Sequence, residues 1–394
     1  MGEKRAYFDH AATTPLDLRV LEAMMPYLAG AGWGNPSSIY AEGREAAKGL
    51  DLARRRVAEL LNCRPAEVIF TAGGSESDNL AIRGAAHGNR RRGDHIVTTA
   101  IEHHAVLHAV ERLEQEGFRA TYLPVDGEGF VDPGSLERSL TGDTTLVSVM
   151  YVNNEVGTIQ PIAETAALVK QRARRIVFHT DAVQAADYLD LDVERLGVDM
   201  LSIAAHKLYG PKGVGALYVR QRTPLQAQLL GGSQERSRRA GTENVAGAVG
   251  LATALELAVR ERVTRAAHVR ELRDFLLGAI PADLARRLPS NLSLCFEGVE
   301  GEPILVNLDL AGMSASSGSA CTTGSLEPSH VLTAMGIDED TARGSLRLAL
   351  GKDNTMEDCQ RLVAALPEIV ERVRRLQPSY RLAAERSAAS SAGR

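Results

Sequence analysis

Two side chains of opposite chemistry stand at the ends of two short apolar runs in the middle of the sequence. Between His179 and Val219 the chain reads HTDAVQAADYLDLDVERLGVDMLSIAAHKLYGPKGVGALYV, with Val177-Phe178 leading to the carboxylate of Asp181 and Met200-Leu201 leading to His206 and the amine of Lys207. Runs of that length read as buried strands, and Pro211, Gly213 and Gly215 punctuate the segment after the lysine. Parallel strands joined by a crossover bring their carboxyl ends to one sheet edge, where open α/β folds bind ligands. Asp181 and Lys207 would then share a pocket. An ion pair or two solvated strand ends is one reading of them. The other is a pyridoxal phosphate (PLP) site, in which the amine forms a Schiff base and the carboxylate keeps the pyridine nitrogen protonated.

The surrounding segments supply further chemistry. In VIFTAGGSESDN, Val68–Phe70 reads as a strand, Ala72-Gly73-Gly74 as a tight turn and Ser75 as a helix start. That arrangement aims free N–H groups and a helix dipole at an anion, though Ser75 and Asp78 also fit an ordinary capping pair. Walker A and GxGxxG patterns are absent. After the strand HIVTT come Glu102, His103, His104 and His108. His104 and His108 have the i, i+4 spacing of a metal pair, but no HExxH or nearby cysteine supports one; a plain helix face or an imidazole stacked on a flat cofactor are the other readings. Asn153-Asn154 ends the apolar run TTLVSVMYV, where an amide either contacts a ligand or caps a turn. Arg343 and Arg347 in TARGSLRLALG are either carboxylate clamps or surface residues. Cys321 lies in MSASSGSACTTGSLEPSHVL among small residues that offer it no packing, as expected of a reactive loop thiol rather than a structural one.

These residues need a scaffold, and the chain is long enough for one. Its 394 residues are 44% hydrophobic, enough for a large core and more than one domain. The 45 basic and 50 acidic residues leave a net charge of −5, which gives no reason to expect nucleic-acid binding. The N-terminal stretch lacks the apolar core of a signal peptide, and no apolar run reaches membrane-spanning length. Cys63, Cys295, Cys321 and Cys359 are widely spaced without CxxC, which fits a reducing cytoplasm. The βαβα rhythm from Val68 to Val219 predicts an α/β fold with one largely parallel sheet. Before it, an extended arm precedes a helix at Leu18–Leu28, and a second helix carries Leu52, Val57, Leu60 and Leu61 inward with its arginines in solvent. After it, a Gly- and Arg-rich loop enters a long helix running to Leu277. Leu292–Phe296 and Pro303–Asp309 read as strands of a smaller α+β domain, and Cys359–Leu376 as the last helix. The small polar tail, 381–394, reads as disordered.

The segments FTAGGSESDN, EHHAV, NNEVG, HTDAVQA, AAHKLYGPKGVGALYV, RAGTENVAGAVG and SSGSACTTGSLEPSHVL together resemble the cysteine desulfurases, a group of fold-type I, class-V aminotransferase-like PLP enzymes. The resemblance runs from DHAATTP to RGSLRLALG, and the long cysteine segment is similar to that of the nitrogen-fixation and housekeeping subgroup. It implies a large PLP-binding domain over 16–258 and a small domain made of 1–15 with 259–380. It also implies roles. Lys207 is the Schiff-base lysine, Asp181 pairs with the pyridine nitrogen and Gln184 bonds the ring hydroxyl. His103 stacks on the ring as an acid/base, Gly74, Ser75 and His206 bind the phosphate, and Asn154, Ala204 and Ala205 also contact the cofactor. Thr242 reaches the phosphate of a neighbouring copy, hence a homodimer. Asn154 and Arg347 hold the carboxylate of L-cysteine. Cys321 is the nucleophile that takes the sulfur as a persulfide, with alanine as co-product, and is a transient ligand if an iron–sulfur cluster is passed on. The implied partner is an iron–sulfur scaffold or another sulfur acceptor. One position departs from the pattern: many relatives have a phosphate-binding serine where Ala204 stands, and Ser202, two residues earlier, is the nearest hydroxyl on the same face. Rival readings are a selenocysteine lyase, a PLP aminotransferase and a non-catalytic metal or cluster scaffold.

Overall fold

The structure, a computed structural model, describes residues 5–278, 286–318 and 328–376. The N-terminal arm contributes β1 (Ala6–Tyr7). The main sheet comes next, built from β2 (Val68–Thr71), β3 (His95–Thr99), β4 (Arg119–Leu123), β5 (Thr144–Ser148), β6 (Val177–Asp181), β7 (Met200–Ala204) and β8 (Gly215–Val219). Its order is β2-β8-β7-β6-β5-β3-β4. From β7 to β4 all neighbours are parallel, and β8 runs antiparallel to both β7 and β2. The expected parallel sheet is therefore present, with one reversed strand. Most of these strands are buried on both faces, which explains their continuous apolar runs. The two sides of the sheet carry separate apolar clusters, one around Phe178, Leu201 and Tyr218 and one around Ile96, Leu146 and Leu217.

Helices α1 (Leu18–Leu28), α2 (Ala41–Leu61), α3 (Gly74–Asn89) and α4 (His104–Gln115) belong to this first body. The helix Val245–Leu277 leaves it: Val245 to Ala258 pack in the first core, whereas Val269 and Leu272 join a second. That second core also holds Ala6, Phe8, Leu346, Leu348 and Leu362, and it covers β9 (Asn291–Cys295), β10 (Met313–Ser314) and β11 (Ser345–Ala349). β11 pairs antiparallel with β9, and β1 pairs parallel with β10. Among the described residues no helix is long and apolar enough to cross a membrane.

Three expectations are corrected. Pro303–Asp309 is not a strand but part of a helix, Gly301–Leu310. Pro303 stands in its first turn, where a missing N–H costs nothing, and Ile304 and Leu308 at i, i+4 are its buried face. Next, Leu52 of α2 faces solvent while Leu50 takes the core position. Finally, Arg54 of α2 is not solvated. It is buried in a two-pronged ion pair with Glu235, at 2.6 and 2.7 Å, and also donates to the Val68 carbonyl at 2.8 Å. Glu235 begins a run with Arg236 and Ser237 in which all three residues have left-handed backbone (φ 46°, 59° and 60°). Helical periodicity cannot signal such a partner, because it comes from 181 positions away. The tail at 381–394 lies outside the described residues.

Candidate active site

β7 ends at Ala204, and one 3-10 turn, Ala205–Lys207, carries the lysine past the sheet edge. The turn is locked by Ala205 N–H on Val214 O at 3.1 Å and Leu208 N–H on Ala205 O at 3.0 Å. β6, its parallel neighbour, ends at the same edge in Asp181, whose Cα partner across the ladder is Ser202. The N-terminal arm closes the site from outside. Thr14 donates from both its N–H and its hydroxyl to the His206 carbonyl, at 2.9 and 3.0 Å, and the Lys207 ammonium donates to the carbonyls of Ala11 and Ala12. Gln184 donates to Ala11 O at 2.9 Å.

These elements enclose a cavity of about 370 Å³. Its lining includes Gly74, Ser75, His103, Asn154, Asp181, Gln184, Ala204, His206, Lys207 and Arg347, ten residues expected from the sequence. Ala11, Ala12, Asp78, Met150 and Val183 complete it, and the sequence alone does not point to them. The alanines of the arm have no functional groups, so no side-chain signal could single them out. The capping role expected of Asp78 is not what the fold gives it: α3 is capped by Gly73 with no side-chain bond, and Asp78 turns inward and is buried. The turn fits closely against the sheet: a Cβ on Gly215 would lie 2.7 Å from both Ile203 O and the Gly73 backbone. Gly74 and Ser75, the first residues of α3, line the cavity, which puts the positive end of the helix dipole at its wall.

Asp181 is fully enclosed, and its Oδ1 accepts the Val183 N–H at 2.9 Å. Burial pushes its carboxyl up to about 6, opposed by that N–H and by the Lys207 charge. Burial and the Lys207 charge push His103 down to about 4, so its ring is neutral near pH 7. His103 caps α4, and its Nδ1 accepts the Ala105 N–H at 3.1 Å, which leaves the ring proton on Nε2. Behind Asp181 lies a buried polar layer. His179 is held between Ser148 Oγ at 2.9 Å and Ser202 Oγ at 3.0 Å, and Asp78 Oδ1 stands 3.7 Å from its Nε2. Ser202 is thus committed to the interior and does not stand in for the missing serine at 204. Glu102, wholly buried, is pushed up to about 8 by that burial, although its Oε1 accepts the Thr99 hydroxyl and the Met150 N–H, each at 2.8 Å.

Other expected residues fall elsewhere. β5 stops at Ser148, and Asn153 lies beyond it in a turn, where its Oδ1 accepts the Glu155 and Val156 N–H groups. Ala205, the first residue of the lysine turn, is buried and does not line the cavity. Thr242 is exposed on this chain and lies outside the cavity. His104 packs beside His108 and His330, with ring centroids 5.0 and 4.7 Å away, but among the described residues no three ligands are placed to hold a metal. Arg343 is on a separate surface depression, whereas Arg347 reaches the cavity. Cys321 lies outside the described residues, which resume at Pro328. Of the other cysteines, Cys359 is fully buried and Cys63 and Cys295 are half-buried, in keeping with packing roles.

Comparison with known proteins agrees across the chain. Residues 6–362 match the family model described as aminotransferase class-V. A cysteine desulfurase IscS of Clostridium botulinum is 47% identical over 388 residues, covering 96% of this chain and 97% of that protein. One from Methanosarcina thermophila is 48% identical over 383 residues, covering 95% and 94%. Among solved structures, a NifS-like protein superposes with a TM-score of 0.87 at 39% identity, covering 94% of this chain and all (100%) of that one. A structure titled SspA in complex with cysteine gives 0.78 at 35% identity, covering 89% and 100%.

Proposed function

The chain belongs to the class-V aminotransferase family and, within it, to the PLP-dependent cysteine desulfurases; on that premise we propose how its own residues divide the work. The donor set in the cavity fits the cofactor. Lys207 offers the amine for its aldehyde, Asp181 the carboxylate for its ring nitrogen, and Gln184 an amide for its hydroxyl. The α3 amides at Gly74 and Ser75, with His206, offer donors for its phosphate. A Cβ on Gly74 would lie 2.9 Å from Val183 Cγ2, so glycine there keeps the cradle open. When bound, the cofactor withdraws electrons from the substrate α-carbon.

Arg347 and Asn154 hold the α-carboxylate of L-cysteine. The freed Lys207 Nζ takes the α-proton and later returns a proton to the product. His103, neutral and with its proton on Nε2, lines the cavity where it would contact the bound cofactor and would shuttle protons at the sulfur. The thiolate of Cys321 attacks the substrate sulfur: the carbon–sulfur bond breaks, a sulfur–sulfur bond forms, and its electron pair stays with carbon, which is protonated to give alanine. Cys321 then carries a persulfide to a sulfur acceptor, with an iron–sulfur scaffold favoured by the IscS relatives. Residues 16–258 act as the cofactor domain, and 1–15 with 259–380 as the domain that presents Cys321. A second copy covers the exposed apolar side chains Leu18, Met25, Trp33 and Ile39 and brings Thr242 to the partner site. A cytoplasmic setting suits the free cysteines.

The observation that carries this reading is the convergence of Lys207, Asp181, His103 and Arg347, from separate stretches of chain, on one cavity. The test is turnover of L-cysteine by the purified protein and by Cys321→Ala, following alanine and sulfide. Product from the first and none from the second is expected. Equal turnover of selenocysteine by both, with little from cysteine, would assign a selenocysteine lyase instead.

A further inference from the structure

Arg347 stands in the middle of β11 and is 2% exposed. Its three guanidinium nitrogens differ. Nη2 donates to Asp9 Oδ1 at 2.7 Å, Nη1 to the Asn154 carbonyl at 3.3 Å, and Nε is buried without a hydrogen-bond partner among the described residues. An unpartnered buried donor on a residue that lines the cavity asks for an acceptor that arrives with a ligand. Asp9 meets the guanidinium because main-chain bonds set the arm beside β11. Asp9 bridges Ala349 in parallel, His10 N–H donates to Ala349 O at 3.1 Å, and Ala349 N–H to Phe8 O at 2.7 Å. The Asp9 side chain is itself largely enclosed, at 18% exposure.

We infer that Asp9 is a specificity-determining residue: by neutralising Arg347 it weakens the hold on a carboxylate, so that a ligand must present an amine as well to be retained. This rests on the reading of Arg347 as the carboxylate clamp. A guanidinium that already holds one carboxylate offers the next one directed hydrogen bonds with little net charge, and the two anions repel across it. Bare carboxylates are then poor ligands, and the carboxylate product leaves readily. Uncovering the arginine charge would favour every carboxylate ligand and leave an amine without a carboxylate unaffected.

The experiment uses the cofactor-loaded enzyme and follows the cofactor absorption band during titration with L-alanine and with ethylamine, which is alanine without its carboxylate. Asp9→Asn keeps the size of the side chain and an oxygen for Nη2. It is expected to bind alanine about tenfold more tightly, with ethylamine unchanged, as the loss of one nearby repelling charge in a partly screened site implies. KM for L-cysteine should fall more than kcat changes. Alanine affinity that is unchanged or weaker relative to ethylamine would overturn the inference. Arg347→Gln separates the two readings. If it leaves the alanine-to-ethylamine ratio intact, the clamp itself is misassigned. If it collapses the ratio while Asp9→Asn fails to raise it, the role of Asp9 alone is wrong. Should Asp9→Asn not retain the cofactor, Asp9→Ser, which keeps a hydroxyl acceptor, is read in the same way.

Discussion

Glu102 offers the sharpest test of the electrostatics around the site. It is wholly buried and its Oε2 has no hydrogen-bond partner among the described residues, so burial holds it protonated up to about 8. A folded-state value raised above the ordinary carboxylate value means that the folded protein keeps a proton the unfolded chain has lost. The stabilisation is fully present below the unfolded value of 4.5 and is lost as pH rises toward 8. Each pH unit in that window is worth about 1.4 kcal/mol, so roughly 1–3 kcal/mol should disappear between pH 6 and pH 9 through this one group. Glu102→Gln copies the shape of the protonated acid, keeps an oxygen for Thr99 and Met150, and cannot ionise. The urea midpoints of the two cofactor-loaded proteins are expected to differ already at pH 6, which is above the unfolded value of 4.5, and to separate further by pH 9, with the glutamine variant more stable. Parallel midpoint-against-pH curves across that range would show that Glu102 is not held neutral, and the account of the buried layer behind Asp181 would fail with it.

Two further substitutions probe positions where this chain departs from expectation. Ala204→Ser adds a hydroxyl to the cavity wall at the position where the sequence departs from the expected pattern. One charge-assisted hydrogen bond is worth about 1.5–3 kcal/mol, so cofactor retention during dialysis should improve by about tenfold or more; no improvement would mean that His206 and the α3 amides already saturate the phosphate. Arg54→Ala strands the Glu235 carboxylate and should cost about 3–5 kcal/mol in urea unfolding. The double change Arg54→Met with Glu235→Leu should recover most of that loss, and its failure to do so would point to the left-handed run at Glu235–Ser237, rather than charge burial, as the source of the cost.

Much of the site was legible in the sequence because strand ends and tight turns are local. Apolar runs bounded by Asp181 and Lys207, and a Gly-Gly turn before Ser75, place chemistry at a sheet edge from spacing alone, and the structure puts those residues around one cavity. The strand expected at Pro303–Asp309 failed because a short apolar run fits either period, and its two buried residues turn out to be spaced as on a helix.

The sequence by itself determined which groups are available: an amine, a carboxylate, an imidazole, an arginine, a loop thiol and the α/β rhythm that holds them. Tertiary structure alone decided which of them act together and in what charge state. The arm lies far from β11 in sequence, so only the folded chain sets Asp9 against Arg347, 338 positions away, and presses Ala11 and Ala12 onto Lys207. Burial, which no spacing encodes, holds Glu102 protonated and His103 neutral. Residue types are local properties; desolvation and partner choice belong to the packed chain.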